Sequence, residues 1–249
     1  MLARIKNLIK GKKEEFRILC RTNNLTLNYK NNRTELEVLK SIFYNREYAD
    51  YFPFYKKATI VDIGAHFGYF SIFTKNNLDK ESKIIAVEPN KSNFTQLQRN
   101  VSDCNINNIS CYNYAIGDKN GISKLYQGLS PNHSIIDSYN LSDNNKYEEV
   151  EVKTLEGLVH DLDLNCIDFL KMDCEGAEYS IFNSTPDSVF DKITTISMEF
   201  HDLKDKRFTA ENLVEKLIER KFKIVKFCYE KTSMNLNYGK LIGTKIFSQ

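Results

Sequence analysis

From Ala58 onward, short apolar runs alternate with segments whose apolar residues recur at helical spacing. The apolar runs predict buried strands, and the periodic segments predict amphipathic helices. Strands joined by helices in this order are typical of an α/β fold with a mostly parallel sheet and helices on both faces. The predicted strands are residues 58–65, 83–89, 109–118, 167–173, 194–200, 223–230 and 240–247, and the predicted helices are 67–77, 90–104, 177–184 and 208–221.

Two parts of the chain depart from this alternation. Predicted strands at 121–127 and 148–155 flank a long polar loop near 128–147, and loops of this length are often lids or binding loops. Residues 1–50 precede the alternation. We therefore predict a partly helical N-terminal extension at 1–50 and a single domain at 51–249, with the long loop as a lid or acceptor loop.

The last predicted helix illustrates how the pattern assigns one face to the core. Thr209 is placed to cap its N-terminus, because a threonine hydroxyl can accept a hydrogen bond from a free backbone N–H. Leu213, Leu217 and Ile218 are predicted to form its buried stripe.

Composition narrows the class of protein. Thirty-five basic and 33 acidic residues give a net charge of +2, too balanced to indicate wrapping of nucleic acid or coating of a membrane. The six cysteines form no C-x-x-C pair and no regular framework, so neither a zinc site nor a disulfide scaffold is predicted. This cysteine pattern favours a reducing, cytoplasmic setting. No stretch approaches the roughly 18 apolar residues of a membrane-spanning helix, so an integral membrane protein is not predicted.

The first residues form a basic amphipathic pattern. Leu2, Ile5, Leu8 and Ile9 share one helical face, and lysines surround them. This pattern is compatible with weak peripheral contact with a membrane, or with a helix that packs on its own domain or on a partner. The sequence does not indicate an oligomeric state.

A tight glycine turn follows the first predicted strand. The segment VDIGAHFGYFS contains Gly64 and Gly68, and such a turn points backbone N–H groups toward a ligand. His66 occupies the middle glycine position of the G-x-G-x-x-G pattern, and no lysine and hydroxyl pair follows Gly68, so dinucleotide and P-loop sites are disfavoured. S-adenosylmethionine has no phosphate and requires neither pattern.

Two acidic residues accompany the turn. Glu88 ends the second predicted strand 24 positions after Gly64, close to where a carboxylate meets ribose hydroxyls in nucleotide-binding folds. Asp62 ends the first strand and is predicted to face the methionine end of the cofactor. Taken alone, Asp62 is also compatible with a strand-end cap and Glu88 with a solvated charge, but their combination with the glycines favours cofactor binding.

Five motifs in order make the sequence resemble the FkbM-type S-adenosylmethionine-dependent methyltransferases, a branch of the class I Rossmann-like methyltransferases. They span residues 58–201, and they are VDIGAHFGYFS, AVEPN, YAIGD, FLKMDCEGAE and MEFH. The glycine turn alone indicates only the superfamily, whereas the ordered combination is specific. Residues 1–50 and 128–147 carry no family motif, and we expect acceptor choice to depend on them.

The resemblance implies a seven-stranded sheet whose last strand is antiparallel, with the cofactor over the carboxyl ends of the first three strands. It also implies O-methylation of a hydroxyl, so the predicted acceptor is a sugar, a glycan precursor or another small natural product. The predicted cofactor-binding residues are Asp62, Gly64, Ala65, His66, Phe67, Gly68, Glu88, Pro89, Ala115, Ile116 and Asp173.

The fourth motif places charges at the end of a predicted buried strand. Alternate strand residues share a face, so Lys171, Asp173 and Glu175 form one row that ends in the ligand crevice. Methyl transfer requires that the acceptor proton be removed or shared. We predict Asp173 as base or acceptor orienter, Glu175 as the next candidate, and Lys171 as the residue that holds them or the acceptor. The alternative is a structural salt bridge of Lys171 with Glu175 or Glu178.

The fifth motif adds Glu199 and His201 on one face of the neighbouring strand, beside Asp173. His201 is a candidate base tuned by Glu199. A divalent metal held by these residues is a further possibility, which we do not favour because no H-x-x-x-H spacing supports it.

Two other functions stay open. Methylation of RNA is disfavoured because the chain lacks a basic, aromatic-rich stripe beyond its first residues and has no D-P-P-Y-like motif, so nucleic acid is not an expected partner. A non-catalytic binding module that retains the fold is the third hypothesis.

Overall fold

The computed structural model describes residues 16–20, 25–29, 33–127, 133–134, 147–201, 208–231 and 237–246. The strands in these ranges are β1 (Phe16–Cys20), β2 (Leu25–Tyr29), β3 (Thr59–Ile63), β4 (Lys83–Val87), β5 (Ile109–Tyr112), β6 (Ala115–Gly117), β7 (Gly121–Gln127), β8 (His133–Ser134), β9 (Tyr147–Thr154), β10 (Ile167–Asp173), β11 (Ile193–His201), β12 (Phe222–Lys231) and β13 (Asn237–Lys245). The helices are α1 (Arg33–Lys40), α2 (Tyr69–Lys75), α3 (Lys91–Asp103), α4 (Leu155–Asp161), α5 (Glu178–Ser184), α6 (Asp187–Phe190) and α7 (Ala210–Glu219), and a π-helical turn (Ser41–Asn45) follows α1.

The central sheet has seven strands in the order β12-β13-β11-β10-β3-β4-β5. β13 runs antiparallel to both of its neighbours, β11 and β12, and the other neighbouring pairs of this sheet are parallel, so the predicted sheet with an antiparallel last strand is confirmed. The register sets Lys171 beside Asp62, and Asp173 beside Glu199. The sheet therefore brings together, at one edge, side chains that are far apart in sequence.

Apolar side chains cover both faces of this sheet, as expected for parallel strands. On one face Val61 and Leu170 pack with residues of α4, α5 and α7. On the other face Ile60 and Phe169 pack with residues of α2 and α3. Neighbouring residues of one strand thus belong to opposite cores. Within the described ranges, no helix combines the length and the apolar composition that crossing a bilayer requires.

Residues before the first central strand pack on the second of these cores. Leu39 and Ile42, from α1 and the π-helical turn, are buried with Tyr48 and Phe52 against α2. The predicted boundary near residue 50 stays a prediction. The basic amphipathic pattern of the first residues lies outside the described ranges, and so does most of the polar loop near 128–147.

The predicted third strand was wrong in its extent, because residues 109–118 form two strands. β5 joins the central sheet, whereas β6 joins a second sheet with the order β6-β9-β7-β8. The side-chain amide of Asn113 donates to the backbone carbonyls of Glu88 and Pro89, both at 2.9 Å. This contact turns the chain out of the central sheet after Tyr112.

Helix α7 confirms most of its predicted pattern. Thr209 accepts a hydrogen bond from Asn212 N at 3.3 Å, and Leu213 and Leu217 are buried. Ile218 was predicted to be buried and is 57% exposed. Leu213 and Leu217 are four positions apart and share a face, whereas the next residue is rotated by about 100° toward solvent.

Candidate active site

A cavity of about 470 Å³ opens at the carboxyl ends of β3, β4, β10 and β11. This is the edge of an open α/β sheet at which ligands bind. Most of the predicted site residues line it, namely Gly64, Ala65, His66, Glu88, Pro89, Ala115, Ile116, Lys171, Asp173, Glu175 and Glu199. Four predicted residues are not among its lining residues: Asp62, Phe67, Gly68 and His201.

The glycine turn is held close to two strands. Gly64 N and Ala65 N both donate to the carbonyl oxygen of Val87 at 3.0 Å. Gly64 has a φ of 73°, and a Cβ added there would collide with the backbone carbonyl oxygen of Asp173. Glycine is therefore required at this position by both backbone conformation and space.

Glu88 lies beside this turn with its carboxylate at the cavity. Its oxygens accept hydrogen bonds from His66 N at 2.8 Å and from Asn90 N at 3.0 Å. Burial raises the pKa of Glu88 to about 7, although these hydrogen bonds favour the charged form. The carboxylate is thus fixed in place, as a partner for ribose hydroxyls should be.

Asp62 does not reach the cavity, which differs from its predicted contact with the methionine end. It is completely buried, accepts a hydrogen bond from Ser71 Oγ at 2.6 Å, and lies 3.2 Å from Lys171 Nζ. Its carboxylate is therefore paired with Ser71 and Lys171 and is not part of the cavity lining.

Phe67 and Gly68 support the glycine turn, and neither lines the cavity. The Phe67 side chain is buried in the core and stacks on the His66 ring with centroids 4.0 Å apart. Gly68 precedes α2 with a φ of 79°, and a Cβ added there would collide with the Leu97 side chain. In the structure both residues support the turn, and their contact with the cofactor stays a prediction.

Asp173 faces the cavity, with 27% of its side chain exposed. The hydroxyl of Tyr48 donates to Asp173 Oδ2 at 3.3 Å, and Lys171 Nζ lies 3.7 Å from the same oxygen. Burial raises the pKa of Tyr48 well above its ordinary value, so its hydroxyl stays neutral and can donate. Sequence analysis missed Tyr48; the available signal was the aromatic-rich segment 43–55 just before the first central strand.

His201 lies behind the cavity within a group of carboxylates. Its Nε2 is 3.3 Å from Glu175 and 3.7 Å from Glu199, and its Nδ1 is 3.5 Å from Glu178. Burial alone would lower the pKa of His201, but Glu178 and the other nearby carboxylates raise it to about 10. A protonated imidazole cannot accept a proton, so the surroundings of His201 do not fit its predicted role as a general base.

The structure also corrects the predicted structural salt bridge. Lys171 pairs with Asp62 and Asp173, whereas Glu178 accepts hydrogen bonds from the backbone N–H groups of Cys174 and Gly176 at 3.0 and 3.3 Å. Glu178 therefore orders the turn after β10. No group of three or more His, Cys, Asp or Glu side chains in the described part of the chain is arranged to hold a metal ion.

Comparison with known proteins agrees with this geometry. A family model described as a methyltransferase FkbM domain matches residues 62–224, which contain the glycine turn, Glu88 and the charged end of β10. The chain belongs to the FkbM methyltransferase family. The residues from α1 to Tyr48 that border the cavity lie outside the matched region of this FkbM protein.

One curated relative of this FkbM protein is named Methyltransferase 1 and comes from Beauveria bassiana (strain ARSEF 2860). It is 28% identical, over 75% of this chain and 83% of the relative. Among solved structures, precorrin-6y C5,15-methyltransferase from Geobacter metallireducens GS-15 is similar with a TM-score of 0.50, 14% identity and coverage of 86% and 90% of the two chains. Trm5b from Pyrococcus abyssi has a TM-score of 0.55, 10% identity and coverage of 95% and 58%. At these identities the structures show the shared fold alone.

Family and fold together support an S-adenosylmethionine-dependent methyltransferase, and the FkbM protein's cavity fits that cofactor. Gly64 leaves the turn open where a side chain would collide. Glu88 presents a fixed carboxylate at the cavity. The carboxylates that line the cavity also suit a ligand that carries a positively charged sulfonium.

Proposed function

We propose that this protein is an O-methyltransferase that uses S-adenosylmethionine to methylate a hydroxyl of a sugar, a glycan precursor or another small natural product. In this proposal Glu88 binds the ribose of the cofactor, and the turn around Gly64–His66 contacts the cofactor through its backbone. Asp173 faces the acceptor. The observation that carries the proposal is the position of Asp173, at the cavity and between Tyr48 and Lys171.

The reaction requires a proton acceptor beside the acceptor hydroxyl. When bound, S-adenosylmethionine supplies a methyl carbon activated by its sulfonium. Asp173 accepts the hydroxyl proton while the oxygen–carbon bond forms and the carbon–sulfur bond breaks. Lys171 and Tyr48 hold the Asp173 carboxylate in one orientation, which aligns the acceptor oxygen for an in-line displacement.

Asp173 suits this role better than its acidic neighbours. Burial raises the pKa of Glu175 and of Glu199, and the charge of Asp173 raises both further. Both side chains also lie against His201 Nε2, at 3.3 and 3.7 Å, whereas Asp173 is held at the cavity by Tyr48 and Lys171. We therefore assign Glu175 and Glu199 to hydrogen bonding of the acceptor and to the electrostatic balance around His201.

The charge of the cavity supports a small acceptor without phosphate groups. Glu37 and Glu47 line the same cavity as Asp173, Glu175 and Glu199. A phosphodiester backbone is attracted by Lys and Arg and repelled by such carboxylates. This favours a neutral hydroxyl compound over RNA, and we expect no nucleic acid partner.

The proposed setting is the cytoplasm, and the basic amphipathic pattern of the first residues is compatible with weak peripheral membrane contact. The cysteines whose side chains the structure describes are free thiols: Cys104, Cys111, Cys166, Cys174 and Cys228. Free thiols persist in a reducing compartment.

The test combines cofactor binding with methyl transfer. Calorimetry with S-adenosylhomocysteine is expected to give saturable binding to the wild type and at least tenfold weaker binding to Glu88→Ala. The protein is then incubated with methyl-labelled cofactor and fractionated metabolites, and labelled products are identified by mass spectrometry. Label on a hydroxyl oxygen supports the proposal.

The rate of methyl transfer is expected to fall at least a hundredfold in Asp173→Asn. This variant keeps the shape of the side chain and removes the proton acceptor. Exposed Asp79→Asn is the matched control and is expected to behave as the wild type. Label found only on nitrogen or carbon, or full transfer by Asp173→Asn, contradicts the proposal.

A further inference from the structure

Lys171 lies where groups from several elements meet. Its Nζ is 2.8 Å from the carbonyl oxygen of Gly64, 3.2 Å from Asp62 Oδ1 and 3.7 Å from Asp173 Oδ2. The Tyr48 ring centroid lies 5.4 Å from the same nitrogen. The side chain is buried, so these groups and not water satisfy its charge.

This lysine is a fixed cation. Burial alone would lower the pKa of Lys171, but the charges of Asp62 and Asp173 raise it above the ordinary value for lysine. It therefore neither gives nor takes a proton near neutral pH. A permanent ammonium group can act only through its charge and its hydrogen bonds.

The hydrogen bond to Gly64 connects Lys171 to the cofactor turn. On one side of the turn, Gly64 N and Ala65 N are bound to Val87 at the end of β4. On the other side, the Gly64 carbonyl is bound to Lys171 on β10. The turn is thus held between two strands, with its carbonyl directed into the core.

The same turn then positions the carboxylate assigned to ribose. His66 N, two residues after Gly64, donates to Glu88 Oε2 at 2.8 Å. A continuous series of contacts therefore leads from Lys171 through the turn to Glu88. If the Gly64 carbonyl were released, the turn would keep its bonds to Val87 but lose its anchor on β10, and the His66 N–H would be less firmly directed.

We propose that Lys171 is a positioning residue of the cofactor site, which acts by fixing the Gly64–His66 turn. Loss of Lys171 therefore weakens cofactor binding even when no acceptor is present. A role confined to the acceptor would leave cofactor affinity unchanged. This inference rests on the cofactor site proposed above, but it is independent of the nature of the acceptor.

Calorimetry with S-adenosylhomocysteine tests the proposal without an acceptor. Lys171→Met keeps the length and apolar stem of the side chain and removes its charge. Because this change leaves Asp62 buried without its cation, the double variant Asp62→Asn/Lys171→Met is measured beside it. We expect both folded variants to bind at least tenfold more weakly than the wild type, and the double variant to keep a melting temperature close to that of the wild type.

Lys192→Met is the matched control. Lys192 Nζ also donates to a backbone carbonyl, that of Leu164 at 3.0 Å, but at the amino ends of β10 and β11. We expect its affinity for S-adenosylhomocysteine to stay within twofold of the wild type. A loss as large as that of Lys171→Met would indicate a general effect of removing a lysine that binds a backbone carbonyl and would overturn the assignment.

Two further outcomes overturn the inference. The first is an affinity for S-adenosylhomocysteine in either Lys171 variant that equals the affinity of the wild type. The other is failure of the double variant to fold, which would assign Lys171 to stability. If the wild type binds S-adenosylhomocysteine but methylates no hydroxyl, the proposed reaction is contradicted and the inference about Lys171 is not affected. Failure of the proposed function and failure of this inference are therefore distinguishable.

Discussion

Tyr48 and Asp173 form the contact that most affects how the site is understood at the scale of single residues. Their side chains are 125 positions apart in sequence and 3.3 Å apart in space. The Tyr48 ring also packs edge-to-face on Phe70, with centroids 5.4 Å apart, so its hydroxyl has little freedom. A residue outside the matched family region therefore determines how the main candidate base is presented to the cavity.

Tyr48→Phe keeps the ring and removes the hydroxyl. A hydrogen bond to a charged group contributes about 1.5 kcal/mol or more, so we expect methyl transfer to fall roughly tenfold or more. The transfer rate is measured with labelled cofactor and the acceptor found in the metabolite screen. Binding of S-adenosylhomocysteine is expected to stay within about twofold, because the variant alters only the orientation of the carboxylate.

Tyr44→Phe is the matched control for Tyr48, because Tyr44 belongs to the same segment and its side chain is 65% exposed. It is expected to retain the wild-type transfer rate. Equal rates for the wild type and Tyr48→Phe would show that the hydroxyl does not orient Asp173 during the reaction.

At the scale of elements, sequence periodicity predicted the central strands and the helices α2, α3, α5 and α7, and it missed α4 and α6. The cap and buried face of α7 followed from local rules, since a threonine hydroxyl and an i, i+4 pair act within one helix. The split between β5 and β6 did not follow from local rules. It depends on Asn113 reaching the backbone of Glu88 and Pro89, a contact with another strand end that no local pattern records.

The helix cap leads to a stability prediction. Thr209→Ala removes the acceptor for Asn212 N and is expected to lower the free energy of unfolding by about 1 kcal/mol. Urea unfolding monitored by circular dichroism measures this change. Thr95→Ala is the control, because Thr95 is exposed within α3 and its hydroxyl binds the Lys91 carbonyl instead of a free N–H. An equal loss in both variants would contradict a specific contribution of the cap.

At the scale of the whole molecule, the acidic cavity should couple stability to pH. Burial raises the pKa of Glu88 to about 7, from an ordinary value of 4.5. Between these pH values the folded protein holds a proton that the unfolded chain has released. Stability therefore falls as pH rises, by about 1.4 kcal/mol per pH unit for this group. His201 also lowers the free energy of unfolding as pH rises above 6.5, because its pKa in the folded protein is raised to about 10.

Glu88→Gln tests this coupling because it removes the titrating group and keeps the shape of the side chain. Free energies of unfolding are measured in urea at pH 5, 6 and 7. The wild type is expected to lose about 1 kcal/mol per pH unit relative to the variant over this range, because the folded protein is already releasing the proton near pH 7. The exposed Glu149→Gln is expected to follow the wild type. Parallel curves for the wild type and Glu88→Gln would contradict a raised pKa of Glu88.

The sequence by itself determined the order of the central strands and of α2, α3, α5 and α7, the glycine turn, and the charges of Lys171 and Asp173 at the end of β10, whereas Glu175 lies in the turn after the strand. These features depend on periodicity and on backbone preferences that act within a few residues. Only the tertiary structure decided the partners of those charges. Lys171 pairs with Asp62 and Gly64 of β3 and its turn, His201 lies among carboxylates, and Tyr48 reaches Asp173. For Lys171 and Tyr48, sheet register and burial select partners about a hundred positions away, and pairing across such distances leaves no local trace in the sequence.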